Sequence, residues 1–333
     1  MPPCFVKFHG FGNDYIVIES SQLANFPDAD ALGEFARRIC NRHYGAGADG
    51  IAVVGPSEVP GANFQVRIFN PDGSEASLSG NGTRCAAAYL YYKSLWTAEE
   101  LRLSTRAGVK LYTLLEALSE PSASAGGPTD EANGSPEKAD GPAKAAGGTP
   151  AIPAAVPVKR YVFDSELGQP RFDPASIPML TKESLAKVID YPLPVGGESF
   201  PVTALQLGNP NCCIFVDDFD TLDWRRIGKA IETHEQFPAR TNVVFVRVID
   251  RDTIELRIWE RGVGETEASG TCSCAAAVAA MIKGQTKRLV TVLMPGGTAR
   301  IQWRDSGQKD GGEVVITGTA EVIYAGDWLA GAG

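Results

Sequence analysis

Apolar and polar positions alternate along most of this chain, and the alternation predicts strands far more often than helices. Phe64, Val66 and Ile68 share one face of a strand. Residues 4–19 read as two strands around a turn at Gly10-Phe11-Gly12-Asn13, with Asn13 at the mouth of the second. Strands follow over 51–54, 101–104, 109–115, 158–163, 202–207, 212–216, 242–249 and 253–259, and alternation continues to Tyr324. Helical spacing is rarer. Leu32, Phe35, Ala36 and Ile39 form one stripe, with Asp28 or Asp30 as its cap and Gly45 as its stop. Residues 181–190 read as a helix, and Trp224, Ile227 and Ile231 form one face of another, capped by Asp223. Two alanine-rich runs, 86–90 and 275–282, read as buried helices.

Each alanine-rich run follows a strand and a glycine loop, and the two copies keep a constant offset. Arg67, Ile68, Glu75, Ser79 and Gly80 recur as Arg257, Ile258, Glu265, Ser269 and Gly270, and a looser echo upstream repeats Gly12-Asn13 as Gly208-Asn209. One such loop would be read as a tight turn. Two related copies predict two related halves whose helix N-termini, rich in unpaired N–H donors, face an anionic ligand between them.

Between the halves the pattern lapses. Residues 119–157 are Ala, Gly, Pro, Ser and scattered charge with almost no large apolar side chain, the composition of a disordered linker or insertion. The expected organisation is an N-terminal half, 1–118, joined by the C-terminal strand 318–333, and a C-terminal half, 158–317.

Composition narrows the function. The 333 residues are 44% hydrophobic and 21% charged, the balance of a soluble globular protein. A net charge of −9 argues against nucleic acid or an anionic membrane as partner. No stretch is long and apolar enough to cross a bilayer, and the start lacks the features of a signal peptide. Seven scattered cysteines follow no disulfide framework, so a reduced, cytoplasmic protein is expected. Cys272-Ser273-Cys274 lacks a second pair, and three histidines are too few to suggest a metal centre. Gly45, Gly47 and Gly50 match the dinucleotide spacing, but they follow a helix and precede a strand, the reverse of what that motif requires.

The motifs Gly10-Phe11-Gly12-Asn13-Asp14-Tyr15, Gly47-Ala48-Asp49-Gly50, Asn70-Pro71-Asp72-Gly73, Gly80-Asn81-Gly82-Thr83-Arg84-Cys85, Gly208-Asn209-Pro210, Thr241-Asn242-Val243 and Glu260-Arg261-Gly262 occur in this order. Together they resemble the diaminopimelate epimerase family. The resemblance implies an α/β (α+β) fold of two pseudo-symmetric halves, each a curved, mostly antiparallel sheet around a central helix. It implies a cofactor-independent isomerase that converts LL- to meso-diaminopimelate, in lysine and peptidoglycan precursor biosynthesis. It also implies a small amino acid as partner. A homodimer is left open. Gly80, Asn81, Gly270 and Thr271 would hold the reacting α-carboxylate. Asn13, Asn70, Asn209, Asn242, Glu260 and Arg261 would hold the amino groups and the distal carboxylate.

The resemblance breaks where the family carries its two cysteine bases. Ser79 and Ser269 occupy those positions, and Asn211 stands where a histidine usually follows the Gly-Asn-Pro motif. A cysteine at a helix N-terminus ionises readily, whereas a serine without an adjacent base stays neutral. Glu260 is the base expected to serve Ser269. Three readings follow: an epimerase with both cysteines replaced, an isomerase or lyase on another amino acid, and an amino-acid-binding homologue without chemistry.

Overall fold

The computed structural model describes residues 2–120, 158–307 and 311–329. The first half runs β1 (Cys4–Gly10), β2 (Asn13–Glu19), α1 (Ala29–Ile39), β3 (Gly50–Pro56), β4 (Phe64–Phe69), β5 (Glu75–Ala76), α2 (Gly80–Tyr92), β6 (Glu100–Thr105) and β7 (Gly108–Glu120). After β8 (Val158–Gly168) and β9 (Tyr191–Val195), the order repeats. It runs β10 (Glu198–Leu207), β11 (Asn209–Phe215), α3 (Trp224–Glu232), β12 (Asn242–Asp250), β13 (Thr253–Glu260), β14 (Gly264–Thr266), α4 (Gly270–Ile282), β15 (Leu289–Met294) and β16 (Gly297–Trp303). The long β17 (Val314–Asp327) ends the described chain.

Pairing closes the strands into two barrels. The first is β1-β2-β3-β4-β6-β7-β8-β17, with β17 returning to β1. The second is β17-β16-β15-β13-β12-β11-β10, and an isolated bridge ties Gln206 of β10 to Arg171, just past the end of β8. Both barrels share β17. The parallel neighbours β2–β3 and β11–β12 need crossovers, which α1 and α3 supply from outside. Of the two candidates, Asp28 rather than Asp30 caps α1, through the Ala31 N–H, and Asp223 caps α3 through the Arg226 N–H, as its spacing predicts.

α2 and α4 run inside the barrels. A helix with ordinary side chains is ~10–12 Å across, so one enclosed on all sides must be narrow and apolar all round. Alanine meets both demands: Ala86–Ala88 and Ala275–Ala277 are fully buried. The two enclosed helices match residue for residue across the 190-residue offset seen in the sequence, Gly80–Tyr92 against Gly270–Ile282.

Several expectations fail. Residues 181–190 form no helix. Val188 instead donates its N–H to Phe172 and accepts from Ala204, and it alone in the segment is buried, so no apolar stripe holds a helix there. The helix ahead of Gly45 ends earlier, at Ile39 with Cys40 as its cap. The glycine stretches are not loops before the helices but their first turns, because Ser79 and Ser269 are the N-caps. The repeated Arg and Glu do not repeat an ion pair: Arg67 meets Glu75 at 2.9 Å, whereas Arg257 pairs with Glu255 and Glu265 with Arg225. Of the segment expected to be disordered, 121–157 lies outside the described residues; Ser119 and Glu120 extend β7 and pair with Lys159 and Val158.

Candidate functional site

The two halves meet where α2 and α4 point their N-termini at each other. Gly80 from α2 and Gly270 and Thr271 from α4 line one cleft, with Arg84, Ser165 and Ile316. A Cβ at Gly80 would meet nothing within 4 Å, so there is open space beside the start of α2. The turn between β1 and β2 crosses the junction. Phe11 takes φ 57° and buries its ring in the core around α4. Gly296 and Gly297 leave room for it, since a Cβ on Gly296 would sit 2.6 Å from the Phe11 carbonyl oxygen.

The two serines occupy equivalent places but bond differently. Ser79 Oγ accepts from the Gly82 N–H at 3.1 Å, which caps α2. Ser269 makes no such cap. Its hydroxyl lies 3.5 Å from that of Thr271 and adjoins Glu260. Burial pushes the Glu260 carboxyl up from its ordinary range, against hydrogen bonds from Thr266 and Ser269 that favour the anion. Burial likewise pushes the Tyr15 phenol up, with Ser79 as its opposing hydrogen-bond partner. Tyr15 also feels the charge of Glu260, so the surroundings of the two serines are electrostatically joined across the junction.

The asparagines fall into two groups. Asn81 Nδ2 donates to Asn13 Oδ1 at 3.2 Å, and Asn13 Nδ2 donates to Asp49 at 2.9 Å. In the second half Asn242 accepts from the Arg261 backbone N–H at 2.9 Å and donates to Asn211 at 3.2 Å. Asn211 in turn donates to the Asn209 carbonyl at 2.6 Å. Asn70 is not joined to either group; its amide bonds Ser74 within its own turn. The Arg261 guanidinium is exposed and donates to the Ala239 carbonyl at 3.1 Å, outside the cleft between the helices.

Three residues that the sequence reading passed over belong to this region. Arg84 is 1% exposed, donates to Asn81 Oδ1 at 3.0 Å and lies over the Phe11 ring. Its place three residues after Asn81 on a helix was the available signal. Asp49 ties Asn13 to Arg42. Asp14 is held by Lys7 and Arg42. Burial alone would raise its carboxyl, but hydrogen bonds from Arg42, Lys7 and Asp49 outweigh this and lower it to about 2. The nearest thiols are spectators. Cys85 and Cys272 are fully buried, and burial pushes Cys85 up to about 12 and Cys272 well above its ordinary range. Among the described residues no cluster of His, Cys, Asp and Glu could hold a metal ion, and no helix is long and apolar enough to cross a membrane.

The family model for diaminopimelate epimerase matches residues 5–127 and 203–323. A diaminopimelate epimerase from Pelotomaculum thermopropionicum is 37% identical over 325 residues, spanning 97% of this chain and 98% of that protein. One from Moorella thermoacetica is also 37% identical, over 97% of this chain and 98% of its own. Solved structures share the fold at lower identity. A PhzF-family phenazine biosynthesis protein from Bacillus anthracis superposes with a TM-score of 0.61 at 16% identity, covering 99% of each chain. A hydroxyproline epimerase from Agrobacterium vitis gives 0.54 at 13% identity, over 98% of this chain and 89% of its own. With a family model matching both barrels and relatives similar over nearly the whole length, this chain belongs to the diaminopimelate epimerase family.

Proposed function

We propose that this protein is a cofactor-independent epimerase acting on diaminopimelate, with Ser79 and Ser269 at the positions of the two acid–base groups. One observation carries the reading: α2 and α4, equivalent by the repeat, open on one cleft and both begin behind a serine N-cap. Inversion needs a base on one face of the α-carbon, an acid on the other, and donors for the charge that develops on the carboxylate. The first-turn amides of the two helices are suited to that third task. Asn13, Asn70, Asn209, Asn242, Glu260 and Arg261 would then bind the distal end and the amino groups. The seven free cysteines fit a reducing, cytoplasmic setting.

Serine in place of cysteine makes the acid–base step the weak point. Ser269 has Glu260 beside it to take a proton, whereas Ser79 is spent on the Gly82 amide. That asymmetry supports a second reading, in which the protein binds diaminopimelate and exchanges its α-proton from one face only. Proton NMR of LL-diaminopimelate in deuterated water separates the two. Growth of the meso signals with loss of the α-proton supports epimerisation; loss of the α-proton alone supports one-sided exchange. If calorimetry finds no binding of either stereoisomer, the substrate assignment fails.

A further inference from the structure

Each half of the junction contains a hydrogen-bond chain that begins at a group able only to donate and ends at one able only to accept. In the first, Arg84 Nη1 donates to Asn81 at 3.0 Å, Asn81 to Asn13 at 3.2 Å, and Asn13 to the Asp49 carboxylate at 2.9 Å. In the second, the Arg261 backbone N–H donates to Asn242 at 2.9 Å, Asn242 to Asn211 at 3.2 Å, and Asn211 to the Asn209 carbonyl at 2.6 Å. A guanidinium and a backbone N–H have no acceptor lone pair to offer, and a carboxylate or carbonyl oxygen carries no proton. The direction of both chains is therefore fixed. Turning over any one amide would set donor against donor on one side and acceptor against acceptor on the other.

We propose that these two relays lock the side-chain amides of Asn13, Asn81 and Asn242 in the single orientation that a ligand meets, which makes Arg84, Asp49 and Asn211 positioning residues. The assignment rests on the function proposed above. Each locked amide spends one N–H and one lone pair in its relay and keeps a second N–H for substrate. Asn211 is wholly buried and serves Asn242 rather than the ligand. Its amide can accept and donate at once, and the relay needs both. Arg84 has no carboxylate partner among the described residues, and its Nε is buried without a hydrogen bond. A guanidinium so placed is costly to bury for stability alone, and starting the relay gives it a role. Preorganised donors of this kind improve binding by removing the cost of ordering them.

The test uses the full chain and two readouts. In the ligand-free protein, the side-chain amide signals of Asn13 and Asn81 should each be a single sharp pair by nitrogen-15 NMR. Asp49→Asn combined with Arg84→Met should double or broaden both pairs, because neither end then sets the direction, whereas each single change leaves the other end to hold it. By calorimetry with meso-diaminopimelate, Arg84→Met and Asp49→Asn should each weaken binding roughly tenfold, about the effect of one charged hydrogen bond. Together they should cost more than the sum of the two, because direction is lost only when both ends are. Arg84→Lys, which still donates and cannot accept, should restore most of the affinity. Unchanged amide signals in the double variant would overturn the proposal, as would additive affinity losses or an Arg84→Lys variant no better than Arg84→Met. Asp49 is only half-buried, so its variant is tolerable, and Arg84→Gln, which can accept as well as donate, replaces Arg84→Met in the pair if that variant fails to fold. The NMR arm needs no ligand, so a failure of the substrate assignment is told apart from a failure of the relay.

Discussion

The Arg84 guanidinium lies 5.0 Å from the centroid of the Phe11 ring, and this stack pins the enclosed helix of one barrel, α2, to a side chain buried in the core of the other. Phe11 reaches that core from a two-residue turn and takes a left-handed backbone to do so. The contact sits beside the loop that carries Ser269, since a Cβ on Gly296 would meet both the Phe11 carbonyl and Ala268.

Phe11→Ala should therefore loosen the junction of the barrels more than either barrel. Removing a buried phenylalanine costs about 3–5 kcal/mol, with roughly 0.5–2 more for the lost cation–π contact. Urea unfolding should show that loss. A cost below about 1 kcal/mol would mean the ring is not anchored in the second core.

Restoring thiols should raise turnover. Ser79→Cys with Ser269→Cys together should speed α-proton exchange and epimerisation by several powers of ten, each tenfold being about 1.4 kcal/mol of barrier. Either single change should do much less, because inversion needs both faces. Ser269→Cys should be the better of the two, since Glu260 adjoins it and no capping bond is lost. No gain in the double variant would move the reading to binding without chemistry.

The acid limb of any residual exchange should lie higher than for an ordinary carboxylate. Glu260 is raised above its usual 4.5, chiefly by burial. It is therefore still protonated where a free carboxyl would act as a base, and exchange should rise with pH only above that value. Glu260→Gln should abolish the limb and most of the exchange. A limb at or below 4.5 would remove Glu260 as the base for Ser269.

Asp14 predicts the acid stability of the first half. Its carboxyl is lowered from 3.8 to about 2, so the stability it contributes is complete above 3.8 and is lost as the pH falls towards 2. Asp14→Asn should flatten that part of the stability profile while lowering stability at neutral pH, because Lys7 and Arg42 lose their shared anion. An unchanged acid transition would place the sensitivity elsewhere.

Replacing residues 121–157 by a short Gly/Ser turn should leave folding and ligand affinity nearly unchanged. The strands on either side already pair at Glu120 and Val158, so a short turn closes them with a small loop-entropy change. A fall in melting temperature would show that the segment contributes contacts to the barrels.

Much of this architecture is legible in the chain because its signals are local. The alternation of Phe64, Val66 and Ile68 follows from the two-residue period of a strand, and the α1 stripe from the 3.6-residue period of a helix. The N-cap Asp223 is legible because a cap bonds only to the next turn, and for α1 the sequence narrows the cap to Asp28 or Asp30, of which the structure takes Asp28. Residues 181–190 mislead for the complementary reason. Their local pattern is weak, and the hydrogen bonds that Val188 makes with Phe172 and Ala204 decide their course.

The sequence by itself determined the repeat, the two buried alanine helices and the equivalent places of the two serines, since each is a matter of residue type and spacing. Only the tertiary structure decided what those residues do to one another. Ser79 and Ser269 are identical as residues, yet one is spent on capping a helix and the other left beside a buried carboxyl. Nothing in its residue type marks Arg84 as buried, and it becomes so because the structure closes around it. Asn13 and Asn81 are 68 positions apart in the chain, and Asn242 and Asn211 are 31 apart. Hydrogen bonds act over about 3 Å, a distance that sequence separation does not encode and that exists only once the barrels bring the two ends together.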